Sequence, residues 1–469
     1  MGASGSVADL RGDTIAAVAT AAGRAALAVV RLSGPRARAI AARLGVPETQ
    51  VPRQTVRTRL HRPDAPRTPL DDAVVTVQVA PRSYTGEDMV EFSVHGGTYV
   101  SRALLTALVE AGARPARAGE FTERAVLHGK LDLLQAEAIA DLIDARSAAM
   151  HRAALHQLSG ALSHRVASLR EALLDVEALL AYEIDFPEED DGPLPRARAL
   201  AAAERAAAGI DALLATLPRA ELAREGIVVV LAGAPNAGKS SLFNALAGEA
   251  RAIVSDVPGT TRDALELLVD EDPLPIRYVD TAGLGDGGDA LERLGVEVSL
   301  RRLAGAHAVL VCAEGDEALA RACALVSAHC AAPLIAVRTK ADLAATPANW
   351  CAPATVRAAA GVAQAVAVSA TTGLGLTELR DAVGALARTL AADPDEEHLV
   401  VTRARHASAL GVARAEIAAF IEAWRADALP APVAGTHLRA AVHALDELVG
   451  GIDADEVLGR VFATFCVGK

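Results

Sequence analysis

The segment GAPNAGKS, residues 233–240, has the spacing G-x-x-x-x-G-K-[ST] of a phosphate-binding loop. It follows the apolar run GIVVVLAG and precedes SLFNALAG, so it is expected between a buried strand and a helix. In that setting backbone N–H groups close around phosphates, Lys239 reaches the β and γ phosphates, and the Ser240 hydroxyl binds Mg²⁺. The segment therefore predicts binding of a nucleoside triphosphate.

Two segments farther along would complete the phosphate and metal contacts. GTTRD supplies Thr261, placed to complete the Mg²⁺ shell and to sense the γ phosphate. DTAG supplies Asp280 on the metal side and Gly283 for a backbone contact to the γ phosphate. Because these segments follow the loop in the order that such enzymes use, they indicate nucleotide hydrolysis.

The segments TKAD, residues 339–342, and SAT, residues 369–371, would select the base. The Asp342 carboxylate can accept two hydrogen bonds from the edge of guanine, which adenine does not offer, while Lys340 covers the ring. Backbone N–H groups of SAT can donate to the guanine carbonyl. Together the five segments predict a GTPase domain.

Two positions depart from the usual pattern. Many such proteins have asparagine where this chain has Thr339, which keeps one hydrogen-bonding group but no amide and so predicts weaker affinity with specificity kept through Asp342. Leu284 occupies the position at which Ras-like enzymes have the glutamine that orients the attacking water. An aliphatic side chain cannot do this. The nearby candidate is Glu292, for which an ordinary surface glutamate on a helix is the competing interpretation.

Three kinds of sequence pattern follow one another along the chain. Up to residue 127, short β-rich runs alternate with Gly and Pro, which predicts a mixed α+β domain. From residue 128 apolar residues recur every three or four positions, which predicts long helices interrupted at the acidic segment 186–195. Strands and helices then alternate from 226 to about 390, which predicts an α/β unit. A further helical segment follows, so the α/β unit is interpreted as an insertion into one helical domain.

Composition narrows the class of protein. Five cysteines, an odd number with no CxxC pair, argue against a disulfide framework and favour a reducing cytoplasm. The sequence shows neither a signal peptide nor a membrane span, so we expect a cytoplasmic protein. The net charge is −13, yet residues 1–127 hold 16 arginines and 12 acidic residues. The N-terminal part is therefore the better candidate for contact with a nucleic acid.

The chain ends FCVGK, with Cys466 three residues before Lys469. One interpretation is that Cys466 has no chemical role and that its small apolar side chain only packs against neighbours or anchors the tail. A C-a-a-X lipidation signal is disfavoured, because the last residue is lysine and Gly468 is not aliphatic. The third interpretation is chemistry, for which the thiol would need nearby cations such as Lys469 and Lys130 to favour the thiolate.

Segments along nearly the whole chain resemble the tRNA-uridine-modification GTPases called MnmE or TrmE. They are TGEDMVEFSVHGG, GEFTERAVLHGKLDLLQAEAIADLIDA, GAPNAGKSSLFNALAG, VPGTTRD, DTAGL, LERLGVE and DEVLGRVFATFCVGK. Related GTPases share the switch segments but not the flanking ones, so the resemblance is specific.

The resemblance implies a multidomain α+β and α/β architecture. Its parts are an N-terminal α+β folate-binding and dimerisation domain (1–127), an all-helical domain in two segments (128–222 and 391–469) and an inserted Ras-like P-loop α/β G domain (223–390). It also implies a homodimer, and a heterotetramer with the FAD-dependent subunit MnmG (GidA).

The implied reaction modifies the wobble uridine, position 34, of certain tRNAs. A one-carbon unit from 5,10-methylene- or 5-formyl-tetrahydrofolate would go to C5 and give a carboxymethylaminomethyl or aminomethyl group. FAD belongs to the partner, while this chain would bind GTP, Mg²⁺ and K⁺, with no membrane involved. In this setting the Cys466 thiolate would either attack the uridine ring beside C5 or handle the one-carbon unit.

The resemblance also supplies a substitute for the missing glutamine. G domains would pair across the dimer, a potassium ion would take the arginine-finger role, and Glu292 would organise the water. Potassium would be held by the Asn236 side chain and by the segment with Ser255, Val257 and Thr260, in which Pro258 is a departure. Magnesium would be held by Ser240 and Thr261. The full set of implied nucleotide contacts is Asn236, Ala237, Gly238, Lys239, Ser240, Ser241, Ser255, Thr260, Thr261, Asp280, Thr281, Ala282, Gly283, Thr339, Lys340, Asp342, Ser369 and Ala370.

The implied folate contacts are Arg31, Glu91, Lys130 and Lys469. A buried carboxylate such as Glu91 can hold the amide and amino groups of a pterin as a fork, and the cations suit an anionic glutamyl tail. His95 is a further candidate for the same pocket, with a packed strand-end histidine as the alternative.

Two other functions compete with this one. A GTP-dependent factor acting on ribosomal RNA would also have a G domain, but such factors usually bring a dedicated RNA module, and none is visible in the sequence. A stand-alone folate enzyme with a regulatory G domain would turn over without a flavoprotein or tRNA.

Overall fold

The computed structural model describes the chain from residue 12 to residue 468, apart from 186–195, 250–252, 255–265, 272, 281–302, 344–349, 360, 392–400, 427–428, 451–460, 463–464 and 466. The chain divides into two compact units. Unit 1 comprises Met1–Ala140, Gln157–Asp211 and Ser408–Lys469, and unit 2 comprises Asp141–His156 and Ala212–Ala407. The finer domain boundaries expected from the sequence remain a prediction.

Unit 1 contains a six-stranded sheet in the order β3-β4-β5-β2-β1-β6. Neighbouring strands are antiparallel, except that β1 and β6 are parallel. The strands are β1 (Ile15–Val18), β2 (Leu27–Ser33), β3 (Thr55–Arg62), β4 (Ala65–Gln78), β5 (Met89–His95) and β6 (Arg114–Pro115).

One face of this sheet forms the core of the N-terminal region. Val30, Leu32 and Phe92 pack there with Leu104 and Leu108 of a helix that covers the sheet. Successive side chains of a strand point to opposite faces. The residues between the buried ones, which include Arg31 and Glu91, are therefore on the other face.

Fourteen helices can be bounded among the described residues. They are α1 (Ala37–Arg43), α2 (Thr98–Glu110), α3 (Glu120–Leu127), α4 (Leu133–Asp144), α5 (Ala148–Leu158), α6 (Ala161–Asp185), α7 (Arg196–Leu214), α8 (Leu217–Glu225), α9 (Lys239–Glu249), α10 (Asp316–Ser327), α11 (Ala354–Arg357), α12 (Leu376–Ala391), α13 (Ala404–Arg425) and α14 (Ala431–Val449).

Helices from distant parts of the sequence pack together in unit 1. α6 lies along α14, and Arg170 donates to Asp446 at 2.6 Å between them. This pairing agrees with the prediction that the two helical segments belong together. Over the described ranges, no helix combines the length and the apolar character that crossing a bilayer requires.

Unit 2 contains a seven-stranded sheet in the order β13-β12-β11-β7-β10-β9-β8. The five strands from β13 to β10 are parallel, whereas β9 and β8 are antiparallel to their neighbours. The strands are β7 (Ile227–Ala232), β8 (Ile253–Val254), β9 (Glu266–Val269), β10 (Ile276–Asp280), β11 (Ala308–Ala313), β12 (Leu334–Arg338) and β13 (Val362–Ala367).

The central strand β7 supplies both faces of this sheet with core residues. Val229 and Leu231 pack into one cluster, while Val230 and Ala232 pack into the other. A parallel strand buried on both faces needs a continuous apolar run, which explains the sequence IVVVLA. The predicted combination of α+β, helical and Ras-like α/β parts is confirmed.

A buried ionic cluster joins the start of the chain to α3. Arg124, 1% exposed, donates to Asp13, to Glu87 and to Glu120. Arg114 donates to both Asp13 and Glu120. Burial alone would raise the pKa of Asp13 and Glu120, but the arginine hydrogen bonds and charges outweigh it, so each pKa is lowered.

Replacing Arg124 with methionine is expected to destabilise the N-terminal domain by about 3–5 kcal/mol, because the buried Glu120 and the neighbouring Glu87 and Asp13 each lose a cation. The measurement is the hydrogen-exchange free energy of the slowest amides in β2 and β5. Arg102→Met, at an exposed position of α2, is the matched control and should change little.

The same cluster predicts acid sensitivity. A carboxyl whose pKa is lower in the folded state contributes stability above its unfolded pKa, about 4 for Asp and Glu, and loses it as the pH falls through the folded pKa. The Arg124→Met penalty should therefore shrink below about pH 4. A penalty independent of pH would contradict the assignment.

Candidate functional site

Four motif segments lie, in whole or in part, at one edge of the sheet in unit 2. GAPNAGKS follows β7, Asp280 of DTAG ends β10, TKAD follows β12 and SAT follows β13, and ligands of open α/β sheets bind at this edge. These motifs, separated by up to 138 positions in the chain, are thereby brought together.

The phosphate-binding loop joins β7 to α9 and contains three residues with positive φ, of which two are informative. Gly233 has a φ of +152°, and a Cβ there would lie 2.3 Å from the carbonyl oxygen of Cys312. Asn236 has a φ of +61°, which is uncommon for a residue other than glycine. Glycine is thus required at position 233 because β11 approaches the loop so closely.

The Lys239 ammonium lies inside this loop. It is 6% exposed and donates to the carbonyls of Gly233, at 3.1 Å, and Ala234, at 2.9 Å. Burial lowers the pKa of Lys239, although the nearby Asp280 opposes the change. A buried cation at a helix N-terminus is suited to an anionic ligand.

Ser240 and Asp280 form the candidate metal side of the site. The Ser240 hydroxyl donates to Oδ2 of Asp280 at 2.8 Å. The Oδ1 atom of Asp280 is buried and has no hydrogen-bond partner among the described residues. Among the described residues, no group of three or more His, Cys, Asp or Glu side chains is arranged to hold a metal ion. A hydroxyl and one carboxylate fit Mg²⁺, which takes few protein ligands and keeps waters or phosphates as the rest.

The base-recognition segments follow β12 and β13. The Thr339 hydroxyl donates to the carbonyl of Ala237 in the phosphate-binding loop at 2.7 Å. Lys340, with a φ of +55°, pairs with the Glu314 carboxylate, and Asp342 is exposed. Ser369 is fully buried, and its hydroxyl accepts a hydrogen bond from the amide of Thr372.

A second group of predicted residues meets on the N-terminal sheet. Arg31 and Glu91 are register partners on β2 and β5, and the Arg31 Nε donates to Glu91 Oε1 at 2.9 Å. The Arg31 guanidinium also lies 5.5 Å from the ring centre of Tyr84. Gln78 Nε2 is 3.5 Å from the other Glu91 oxygen. Both side chains of the pair are half-buried.

The C-terminal residues reach this group. Gly468, with a φ of +99°, places its carbonyl oxygen 3.5 Å from the Arg31 guanidinium. Val467 pairs with Ala118, and a Cβ on Gly119 would lie 2.9 Å from Phe462. The tail therefore lies against the N-terminal domain on both sides of position 466.

Lys130 contacts the loop that also carries Tyr84. Its ammonium donates to the carbonyl of Pro81 at 3.2 Å and is exposed. The structure thus links Lys130 to Arg31 through the β4–β5 loop. His95 pairs with Asp71 at 2.7 Å and is exposed, four residues from Glu91 along β5.

The remaining predicted residues lie outside the described residues, and their roles stay predictions. They are Ser255, Val257, Thr260, Thr261, Thr281, Ala282, Gly283, Leu284, Glu292, Cys466 and Lys469.

Comparisons with known proteins identify the chain. The family model described as GTP-binding protein TrmE N-terminus matches residues 14–130, and the model of the MnmE helical domain matches residues 133–466. The tRNA modification GTPase MnmE of Laribacter hongkongensis is 38% identical over 97% of this chain and 99% of its own. The chain belongs to the MnmE family of tRNA modification GTPases.

Other members of the MnmE family are similar over their whole lengths. Proteins of the same name from Azoarcus sp. and Methylorubrum populi are 42% and 43% identical, with coverage of 97% and 98% of this chain and 98% and 99% of their own. The predicted family is confirmed, and the chain is a GTPase that takes part in tRNA modification.

Sequence reasoning missed several contacts that the MnmE fold creates here. Gln78 and Tyr84 contact the Arg31–Glu91 pair, but neither stands in a recognisable motif. Arg124 binds partners as far back as Asp13. The alternation of apolar residues in β2 and β5 was the available signal, because it places an arginine and a glutamate on one face of the sheet.

Proposed function

We propose that this chain, with an FAD-dependent partner of the MnmG (GidA) class, uses a tetrahydrofolate one-carbon unit in tRNA modification. The product would be a carboxymethylaminomethyl or aminomethyl group on C5 of the wobble uridine. The observation that supports this most directly is the half-buried Arg31–Glu91 pair, with the C-terminal Gly468 against it.

The chemistry of these residues fits a reduced folate. The ligand carries an amide and an amino group at the pterin end and carboxylates at the glutamyl end. Glu91, oriented by its hydrogen bond with Arg31, can accept hydrogen bonds from the first, while Lys130 and Lys469 supply cations for the second. Tyr84 adds an aromatic face beside Arg31. When bound, the folate would supply the one-carbon unit, and the residues here would hold and orient it.

Folate binding tests this proposal. Titration calorimetry with 5-formyl-tetrahydrofolate should show Glu91→Gln weakening the affinity by at least about tenfold, because a charge-assisted acceptor is lost. Glu48→Gln, an exposed carboxylate of the same domain, is the control and should bind like the wild type. Failure of the unmodified chain to bind reduced folate would contradict the proposal.

For the GTPase step we propose Ser240 and Thr261 as magnesium ligands. Asp280 would orient the Ser240 hydroxyl and a metal-bound water. Asn236 would hold a potassium ion together with Ser255, Val257 and Thr260. The Asn236 side chain lies on an exposed loop, and its amide oxygen is an uncharged ligand atom suited to a monovalent cation. A bound cation offsets charge that develops between the β and γ phosphates.

This assignment predicts a potassium preference. GTP hydrolysis should be faster in potassium chloride than in sodium chloride at matched ionic strength, and Asn236→Ala should lose the difference. Asn244→Ala, on the exposed surface of α9, is the control. Equal rates in the two salts would refute the potassium site.

We further propose a homodimer in which the G domains pair during hydrolysis, and a cytoplasmic location. The four cysteines in the described residues are free, as expected in a reducing compartment. Light scattering measures the assembly directly, and a monomer at micromolar concentration would count against it.

A further inference from the structure

Thr339 has no hydrogen-bond donor left for a nucleotide. Its amide donates to the Ala313 carbonyl at 2.9 Å, and its hydroxyl donates to the Ala237 carbonyl at 2.7 Å. The residue is 3% exposed, so both bonds are shielded from water. Threonine has only these two donors, and the hydroxyl carries a single proton.

Two donors of the neighbouring residues are also engaged. The Ala341 amide donates to the Val368 carbonyl at 3.0 Å. The Lys340 ammonium pairs with the Glu314 carboxylate. A Cβ on Gly238 would lie 3.4 Å from the Thr339 Cβ, so the phosphate-binding loop closely covers this residue. The segment is therefore fixed by bonds within the protein.

Guanine presents two kinds of groups to such a segment. Its N1–H and 2-amino group are donors, which the Asp342 carboxylate can accept. Its O6 and N7 atoms are acceptors and need donors from the protein. The Ser369 amide donates to the Leu374 carbonyl at 2.9 Å, so the backbone N–H groups of residues 370 and 371 are the donors that can serve O6. N7 is left for position 339, where an amide side chain would have one N–H for Ala237 and a second for N7, whereas threonine has one proton in all.

We infer that this chain does not recognise N7 of the purine and accepts 7-deazaguanine nucleotides as well as guanine nucleotides. The inference rests on the proposed role of residues 339–342 in base recognition. Thr339 is then a specificity-determining residue: it connects the base segment to the phosphate-binding loop but relaxes recognition on the N7 side of the ring. Discrimination between guanine and other bases then depends on Asp342, which accepts from N1–H and the 2-amino group at the opposite edge of the ring.

The test compares GDP, 7-deaza-GDP and IDP by competition against a fluorescent guanine nucleotide on the full-length chain. Since 7-deaza-GDP has a C–H in place of N7, the wild type should bind it within about twofold of GDP. IDP lacks the 2-amino group and should bind about tenfold or more weakly, because a hydrogen bond to a carboxylate is lost.

Two variants at position 339 sharpen the result. Thr339→Asn should prefer GDP over 7-deaza-GDP by roughly three- to tenfold, the effect of one hydrogen bond to a neutral acceptor. Thr339→Ser, which keeps a single hydroxyl proton, should show no preference.

A wild-type preference for GDP of fivefold or more would overturn the inference. So would an asparagine variant that does not discriminate, because position 339 would then not face N7. Loss of discrimination against IDP, or failure to bind GDP at all, would instead contradict the proposed base-recognition site on which the inference rests.

Discussion

Glu292→Ala is expected to slow GTP hydrolysis about 100-fold or more while GTP affinity stays within about twofold of the wild type. Leu284 cannot orient water, so the proposed site depends on another polar group near the γ phosphate. A residue that positions the attacking water acts mainly in the transition state, and its loss lowers the rate without weakening substrate binding. Single-turnover hydrolysis and equilibrium binding of a non-hydrolysable analogue measure the two quantities separately.

Glu297→Ala provides the matched control, since it removes a second glutamate from the same LERLGVE segment. It should leave the rate near that of the wild type. If nucleotide affinity falls in step with the rate in Glu292→Ala, Glu292 is a loop-ordering residue rather than the group that positions water.

Cys466→Ala should nearly abolish wobble-uridine modification while GTP hydrolysis and folate binding stay intact. The neighbours of Cys466 support a role near the folate residues: Phe465 is buried, and Gly468 lies against Arg31. An unperturbed thiol is only a few per cent ionised at neutral pH, so the proposed chemistry needs the cations of this region. Nucleoside analysis of tRNA treated with the reconstituted system gives the readout.

Two further variants separate chemistry from packing. Cys466→Ser keeps the size of the side chain and should be as inactive in modification as Cys466→Ala. Cys351→Ala removes an exposed cysteine of unit 2 and should have no effect. Burial raises the pKa of Cys312 to about 12 and that of Cys323 to about 11, so neither can replace the terminal thiol. Normal modification by Cys466→Ala would show that the terminal cysteine only anchors the tail.

The nucleotide site was largely predictable from the sequence. Four of its five segments are short motifs at the ends of recognisable strands, and parallel strands bring their carboxyl ends to the same edge of a sheet. The hydrogen bond from Thr339 to Ala237 was not predictable in the same way. It joins residues that are 102 positions apart, and neither of the two motifs indicates that the Thr339 hydroxyl donates to the other.

The N-terminal site was less predictable. Strand alternation places Arg31 and Glu91 on a common face, but their pairing depends on the register between β2 and β5. From the sequence, Arg31 was expected to bind the glutamyl tail of the folate and Glu91 to bind the pterin. In the structure the two side chains are hydrogen-bonded to each other. The Arg124 cluster was missed because its partner Asp13 is 111 residues away, and no local pattern reports such a contact.

The proposed function is tested most directly by mass-spectrometric nucleoside analysis of tRNA from cells that lack the gene, with and without a plasmid copy of it. In the deletion strain, 5-carboxymethylaminomethyl and 5-aminomethyl groups should disappear from wobble uridines; they should return with the wild-type copy and stay absent with the Glu91→Gln copy. Unchanged wobble uridines in the deletion strain would contradict the proposed function.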